Sequence, residues 1–406
     1  MIKDDFLSGI FYSVPNLRYY HSDKLSKVKL GNICSITGGY AFDSRKMKSK
    51  GEYQIIKMGN LYNGVLDLTR NPSFIDNPTK KELEYLIHKN DILITLTGTV
   101  NKKDYGYTVQ LNNPNNLLLN QRCALIKPLN INEKYLFYLL NSNNFFKQFY
   151  ASSTGGTGNQ TNVSINDMLN FNMYIANEKN QIIISEFLNK IDQRIETQIK
   201  IISSIESQIK SINNHVAFDS ATNELSIGNL FDIKTNSKIL EKHDGKYCIV
   251  DMGTIDSNGN YITGKYTDDI TSILTKGTLV MPKDDIGGGK IICKTLYINE
   301  SNKYVLSDHV FALKLRNSKY NPLYFSSLIN SQYHNHNLKR LVTGSAQLGI
   351  NQENLNKYKL RFSDCLELQK KYSKLIQLIN EKLFIEKKLL YDLYNQKNYL
   401  MKNMFI

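Results

Sequence analysis

No C-x-x-C pair occurs in the chain, and its five cysteines (Cys34, Cys123, Cys248, Cys293 and Cys365) are scattered and odd in number. That pattern excludes a disulfide framework and gives no zinc-site spacing. No uninterrupted apolar run approaches the ~18 residues that a membrane span needs. The first twenty residues lack a basic segment followed by an apolar one, so no secretory signal is expected. No G-x-x-x-x-G-K-[ST] run is present, which excludes a Walker-type ATPase motor, and no glycine-rich loop of the methyltransferase kind is found. Asn71-Pro72-Ser73-Phe74 has Ser where an adenine methyltransferase motif needs a second Pro, and Asp284-Asp285 lacks the Glu-x-Lys of a nuclease site. His334-Asn335-His336 is the sole close His pair; a surface position is expected for it, and for His215 and His309, rather than a metal site. These absences lead to the expectation of a reduced, cytoplasmic protein.

What is present is a repeat. Leu30-Gly31-Asn32-Ile33 matches Ile227-Gly228-Asn229-Leu230; Tyr53-Gln54-Ile55-Ile56-Lys57-Met58-Gly59 matches Tyr247-Cys248-Ile249-Val250-Asp251-Met252-Gly253; Leu139-Leu140-Asn141-Ser142 matches Leu328-Ile329-Asn330-Ser331. A 406-residue chain built twice is suited to a partner with two halves. Its formal net charge of +14 points to nucleic acid as that partner. Most of the excess lies outside the helical stretches described next.

Leu188, Ile191, Ile195, Gln198, Ile202, Ile205, Ile209 and Ile212 follow one another at spacings of three and four, the narrow a/d stripe of a coiled coil. Adding 188 to each number gives Ile376, Ile379, Leu383, Glu386, Leu390, Leu393, Lys397 and Leu400. Gln198 and Glu386 interrupt the two stripes at the same place, as a register-fixing polar pair or as a wet spot where packing opens. Neither 178–214 nor 364–403 contains Pro or Gly, so both helices should run unkinked. Two such helices in one chain most simply bury their stripes against each other, antiparallel, with the globular segments at opposite ends; binding to other subunits is the alternative. The expected division is 1–177 globular, 178–218 helix, 219–363 globular and 364–406 helix.

Both globular segments have a mixed α/β pattern. Strands are expected at Ile55–Met58, Asp91–Ile94, Thr278–Met281 and Val310–Lys314, and short helices at Tyr135–Leu140 and Tyr324–Ile329. Ahead of each long helix lies a polar, glycine-containing loop, Thr154-Gly155-Gly156-Thr157-Gly158-Asn159-Gln160 and Thr343-Gly344-Ser345-Ala346-Gln347. Each ends in a Gln three or four residues before a candidate N-cap, Ser164 and Asn351. Such loops let backbone approach a phosphate, and a Gln can pair with adenine N6 and N7; a plain turn launching a helix is the alternative. Gly38-Gly39 beside Arg45, Lys46 and Lys48 is a similar candidate, and Lys57, Lys283 and Lys290 complete the basic set. Gly287-Gly288-Gly289-Lys290 lacks Walker spacing and is taken as a turn.

Taken together, these residues resemble the specificity subunit of type I restriction–modification systems, over essentially the whole chain. Val14-Pro15-Asn16-Leu17-Arg18-Tyr19 is similar to the family's Pro-x-Leu-Arg-aromatic lead-in, and Lys29-Leu30-Gly31-Asn32-Ile33 to the first strand entry of its target recognition domain. Leu119-Asn120-Gln121-Arg122-Cys123-Ala124-Leu125-Ile126 resembles its Leu-Asn-Gln-x-x-Ala-Leu-Ile strand. Asn177-Glu178-Lys179-Asn180-Gln181-Ile182 through Glu186–Asp192 resembles the start of its central helix, and Tyr399–Ile406 its Leu-Leu-x-x-Met-Phe close. Lys210–His215 is a degenerate version of that close, and Glu367-Leu368-Gln369 starts the second helix without the usual Pro.

The resemblance implies two target recognition domains, each reading one half of a bipartite double-stranded DNA site. It implies helices that act as a spacer and as the dock for two adenine-methyltransferase subunits. S-adenosylmethionine would sit in those partners, and ATP and Mg in a restriction subunit if one joins; this chain would hold no cofactor or metal and do no chemistry. A coiled-coil adaptor joining two protein-binding lobes, or a DNA-modifying enzyme with an unrecognised site, are the rival readings.

Overall fold

A computed structural model describes residues 25–62, 64–155, 159–218, 222–262, 264–345 and 347–405. The lead-in Val14–Tyr19, the loop residue Gly158 and the terminal Ile406 lie outside the described residues. The chain divides into two compact units: residues up to Thr197 together with those from Leu390 onward, and Gln198–Leu389.

The first unit is built on a four-stranded antiparallel sheet in the order Cys34–Gly38, Cys123–Pro128, Ile92–Thr95, Thr108–Gln110. Ile92-Leu93-Ile94-Thr95 is buried throughout because both faces of the sheet are covered. Ile92, Ile94, Ala124 and Ile126 point into one cluster; Leu93, Val109 and Cys123 point into the other. A smaller sheet pairs Tyr53–Ile56 in parallel with Leu117–Leu119 and antiparallel with Phe74–Ile75. A third pairing joins Ser26–Lys29 to Asn172–Ile175.

The second unit repeats the plan. Its four-stranded sheet runs Phe231–Lys234, Val310–Leu315, Leu279–Pro282, Leu296–Tyr297. Leu279, Met281, Phe311 and Leu313 face one cluster, and Val280, Val310 and Ala312 the other. Tyr247–Val250 pairs in parallel with Tyr304–Leu306 and antiparallel with Tyr266–Thr267, and Asn223–Ser226 pairs with Lys359–Phe362. The expected strands are present with ends shifted by a residue or two. One difference has a local cause: Lys57 and Met58 leave the first unit's strand because Asn60 folds the chain into a capped 3-10 turn, its Oδ1 accepting from Lys57 N–H at 2.9 Å.

The long helices span Glu178–Phe218 and Leu366–Met404. In the first unit Leu188, Ile191 and Ile195 join the large cluster together with Leu393, Leu400, Met404 and Phe405, and Leu390 packs on it half-buried. Each such side chain contributes about 1.5–3 kcal/mol by leaving water. Asp192 there pairs with Lys397 at 2.6 Å and accepts from the Tyr138 hydroxyl at 2.9 Å. In the second unit Ile202, Ile205, Ile376 and Leu383 are buried and Ile379 is half-buried. Gln198 donates to the Glu386 backbone oxygen at 3.1 Å and to its carboxylate. The interrupted stripe positions are thus a bonded polar pair.

A buried glutamine ties each long helix to its unit. Asn177 caps the first, its Oδ1 accepting from Asn180 N–H at 2.9 Å. Gln181 then donates to Ala176 O at 2.8 Å and accepts from Asn132 N–H at 3.0 Å. Asn132 itself caps the short helix Glu133–Leu139. Gln369 repeats this with Ser363 O at 2.8 Å and Asn321 N–H at 3.0 Å, and Asn321 caps Pro322–Asn330. Tyr135 and Tyr324 close the same corners, their hydroxyl oxygens accepting from Ala176 N–H and Ser363 N–H. Leu in place of Gln181 or Gln369 keeps the volume and orphans two backbone groups, at roughly 1–3 kcal/mol for each buried group left unpaired. Gln181→Leu should lower the denaturation midpoint of the first unit and Gln369→Leu that of the second; neutral effects in both would show that the glutamines do not hold the corners.

The surface expectation fails for His334. It is 1% exposed, inside the helix Gln332–Lys339, with Nδ1 2.9 Å from the Tyr358 hydroxyl. Burial pushes its pKa down to about 4. The unfolded chain takes up this proton near pH 6.5 while the folded chain refuses it. The second unit therefore has its full stability above about pH 6.5 and loses it progressively as pH falls toward 4, by about 3 kcal/mol. Thermal unfolding across that window should show the loss, and His334→Gln should flatten this part of it; an equally steep profile in the variant would assign the loss to other groups.

Candidate nucleic-acid interface

The polar loops that precede the long helices are hairpins. In the first unit Thr97–Thr99, one residue beyond the central strand, pairs with Gln160–Asn162, which pairs back onto Thr154–Gly155. Thr97 Oγ1 donates to Asn162 Oδ1 at 3.0 Å across the pair. Asp104 secures the adjoining turn, accepting from Thr99 N–H at 2.8 Å and Thr99 Oγ1 at 2.7 Å, and these bonds hold its carboxyl below the usual range. Thr154, Gly155, Asn159 and Gln160 are all exposed on the hairpin. In the second unit Asp284–Asp285 pairs with Leu348–Gly349, and Thr343 bridges Gly349 with two backbone bonds of 2.8 and 2.9 Å. Gly344 turns this hairpin at φ 103°; a Cβ there would sit 2.0 Å from Gln347 O. Thr343, Gly344, Ser345 and Gln347 are exposed. Ser164 and Asn351 are N-caps, of the short helices Ile165–Leu169 and Gln352–Lys357.

The glycine-rich run Gly287–Lys290 folds around a carboxylate. Asp285, 1% exposed, accepts from Gly287, Ile291 and Ile292 N–H. Those three amides serve the fold and are not open to a phosphate. Gly39 likewise has an internal role: a Cβ there would lie 2.1 Å from Asn120 O, so its bareness lets the two segments meet.

The basic candidates fall in two places. Lys48 pairs with Asp76 at 2.9 Å and Lys57 reaches Ser73, both at the edge of the smaller sheet formed by Tyr53–Ile56 and Phe74–Ile75. Arg45 lies in the 3-10 turn Ser44–Lys46, held by Asp43 through Nε and Nη2 at 2.9–3.2 Å, and this pairing keeps Asp43 below its ordinary pKa. Lys46 and Lys290 are exposed. Both pairs lie in water, which screens them, so neither ties its cation firmly to the fold. The second place is the end of the four-stranded sheet. There the Gly39 N–H donates to Cys123 O, Arg122 O accepts from Leu96 N–H, and Leu96 O accepts from Val163 N–H, at 2.9–3.0 Å. Gly38-Gly39 and the first hairpin therefore lie on either side of Arg122. The second unit repeats the ladder: His309 O accepts from Lys283 N–H and Lys283 O from Ile350 N–H, both at 2.9 Å, beside the Thr343–Gln347 hairpin. Lys283 Nζ sits 6.0 Å from the Phe311 ring centroid.

Among the described residues no group of three His, Cys, Asp or Glu side chains could hold a metal. The buried thiols Cys34, Cys123 and Cys293 are pushed up to about 12, which keeps them neutral at physiological pH. No helix among the described residues is long and apolar enough to cross a membrane. The polar loops and the glycine pairs were visible in the sequence; the hairpin pairing of the loops was not. Arg122 was read only as part of a strand motif and His309 only as an isolated surface histidine, because the feature that distinguishes them is a backbone angle.

No curated relative matches the chain. Among solved structures, a type I restriction–modification system S subunit from M. genitalium superposes with a TM-score of 0.61 at 16% identity, covering 94% of this chain and 96% of that one. A second structure, described as the basis of complex assembly and conformational transition of the type I R-M system, gives 0.53 at 11% identity, covering 93% and 97%. The family model for the type I restriction modification DNA specificity domain matches twice, at residues 23–207 and 221–393, which are the two halves of the repeat. The chain therefore belongs to the type I restriction–modification DNA specificity family, with two copies of the specificity domain, each match running into a long helix.

Proposed function

We propose that the chain is the non-catalytic DNA-reading subunit of a type I restriction–modification complex, each specificity domain reading one half of a bipartite double-stranded site. The observation that carries this is the duplicated plan, with the same strand orders and the same hairpin at the same sheet end in both units. The domains would be 1–177 and 219–363, with 178–218 and 364–406 as spacer helices. The net charge of +14 supplies the attraction to phosphate. Gly38, Gly39, Arg45, Lys46, Lys48, Lys57, Thr154, Gly155, Gly158, Asn159 and Gln160 would serve the first half-site. Lys283, Lys290, Thr343, Gly344, Ser345 and Gln347 would serve the second.

The long helices keep apolar side chains in water, among them Ile182 and Ile183 in the first unit and Leu378, Phe384 and Ile385 in the second, the last three 54–71% exposed. Surface of this kind suits docking, and two adenine-methyltransferase subunits carrying S-adenosylmethionine are the partners proposed for it. A restriction subunit would bring ATP and Mg.

Mapping methylated adenines in cells with and without this gene tests the function: a bipartite motif should vanish when the gene is removed, and an unchanged methylome would refute it. The same readout applies to Gln160→Ala and Gln347→Ala. If either Gln contacts a base, its loss should cost about 1–3 kcal/mol of discrimination and relax one half-site; equal weakening of both halves would make the Gln structural.

Spacing is tested by one added heptad in each helix, near Gln198 and Glu386, which keeps the stripes in phase. Seven residues add roughly 10 Å at ~1.5 Å each, about three base pairs at 3.4 Å. The half-sites should persist with a longer gap, shortened by whatever the accompanying rotation of the duplex disallows. An unchanged gap in an active variant would make the helices docking surfaces alone.

A further inference from the structure

Ten described non-glycine residues have positive φ, and seven of them are asparagines, the side chain that best tolerates the left-handed region. The exceptions are Arg122 at φ 71°, His309 at 61° and Cys293 at 61°. Cys293 is buried and packs in the second unit's core. Arg122 and His309 occupy equivalent places in the two repeats: each precedes a central strand, and each gives its carbonyl to the residue leading into the hairpin-paired strand.

His309 is held by Asp284 at 2.7 Å and Asp308 at 3.2 Å, whereas no contact within the fold calls for the Arg122 side chain. The turn would accommodate Gly or Asn with less strain, since an L-residue there crowds its Cβ against the following carbonyl. Arg122 is exposed, flanked by the bare Gly38-Gly39 segment on one side and by Thr97 and the hairpin on the other. A strained backbone that aims an exposed side chain is a device for a directional contact, and strain of this sort gathers at ligand-binding positions. A phosphate makes no such demand; the cations Lys46 and Lys290 can reach one without a left-handed backbone.

We propose that Arg122 is a base-reading residue of the first specificity domain, donating through its planar fork to O6 and N7 of a guanine in the major groove. This rests on the DNA-reading function proposed above. The test selects duplexes from a random pool with the full chain bound to its modification subunits, comparing the parent with Arg122→Gly, Arg122→Lys and His309→Gly, and records the melting temperature of each. Arg122→Gly should melt close to the parent, because glycine adopts this turn freely, yet lose a guanine preference of roughly 5- to 150-fold at one position of one half-site. Arg122→Lys should keep part of that preference, and His309→Gly should leave that half-site untouched. Retained guanine preference in Arg122→Gly overturns the proposal. So does a uniform fall across all sequences, which would mark a phosphate contact, or a fall in melting temperature with loss at every position, which would mark a structural role. A parent complex that selects no sequence overturns the DNA-reading function itself, a result distinct from failure of Arg122 alone.

Discussion

Each unit hangs on a corner where backbone must leave a sheet and enter a long helix without orphaning its amides. The chain turns inside the core at Ala176 in the first unit and Ser363 in the second, where unpaired backbone groups are costly. One buried glutamine and one buried tyrosine solve this in the same way twice: Gln181 with Tyr135, and Gln369 with Tyr324. The glutamine both donates and accepts, so it bridges the strand end to the cap of the short helix that packs beneath. Without that bridge the apolar stripe of the long helix could not be aimed at the sheet, and a stripe without an address buries nothing reliably.

The stripes themselves are not uniformly apolar, and the polar positions are placed where they can be satisfied. Asp192 accepts from Tyr138 and pairs with Lys397, so its charge is spread over a hydroxyl and an ammonium at the margin of the first unit's core. Desolvation, with the Asp192 charge nearby, raises the Tyr138 pKa and keeps it a donor. In the second unit Gln198 spends its amide on Glu386, and Lys387 reaches Glu206 at 2.9 Å. A slip by one turn would separate these pairs while leaving leucine against isoleucine nearly as well packed. The polar pairs therefore select the register, and the apolar ones supply the free energy.

The repeat, the helix stripes, the strands and the polar loops were legible in the sequence because each is a pattern of periodicity or composition. Asp91–Ile94 reads as a strand from its composition, and Leu188 to Ile212 as a seam from its spacing. The corners were not legible: Gln181 and Gln369 read as ordinary polar residues in a first helical turn, and only their burial reveals the bridge. His334 misled for the same reason, since its environment comes from Tyr358, distant in sequence. The apex positions Arg122 and His309 were hidden because a left-handed backbone at Arg or His has no compositional signature.

The two repeats agree inside and differ at the apex. The corner glutamines, tyrosines and cap asparagines are paired residue for residue. At the sheet end, the first unit presents Arg122 between glycines and threonines. The second holds His309 between Asp284 at 2.7 Å and Asp308 at 3.2 Å. The exposed cation Arg122 stands at one apex; at the other, Lys283 adjoins a histidine paired with two carboxylates. Guanine offers two acceptors at its major-groove edge, whereas cytosine and adenine offer amino donors. On the bipartite reading proposed above, a few apex side chains would tell one half of a site from the other while the duplicated core stays constant.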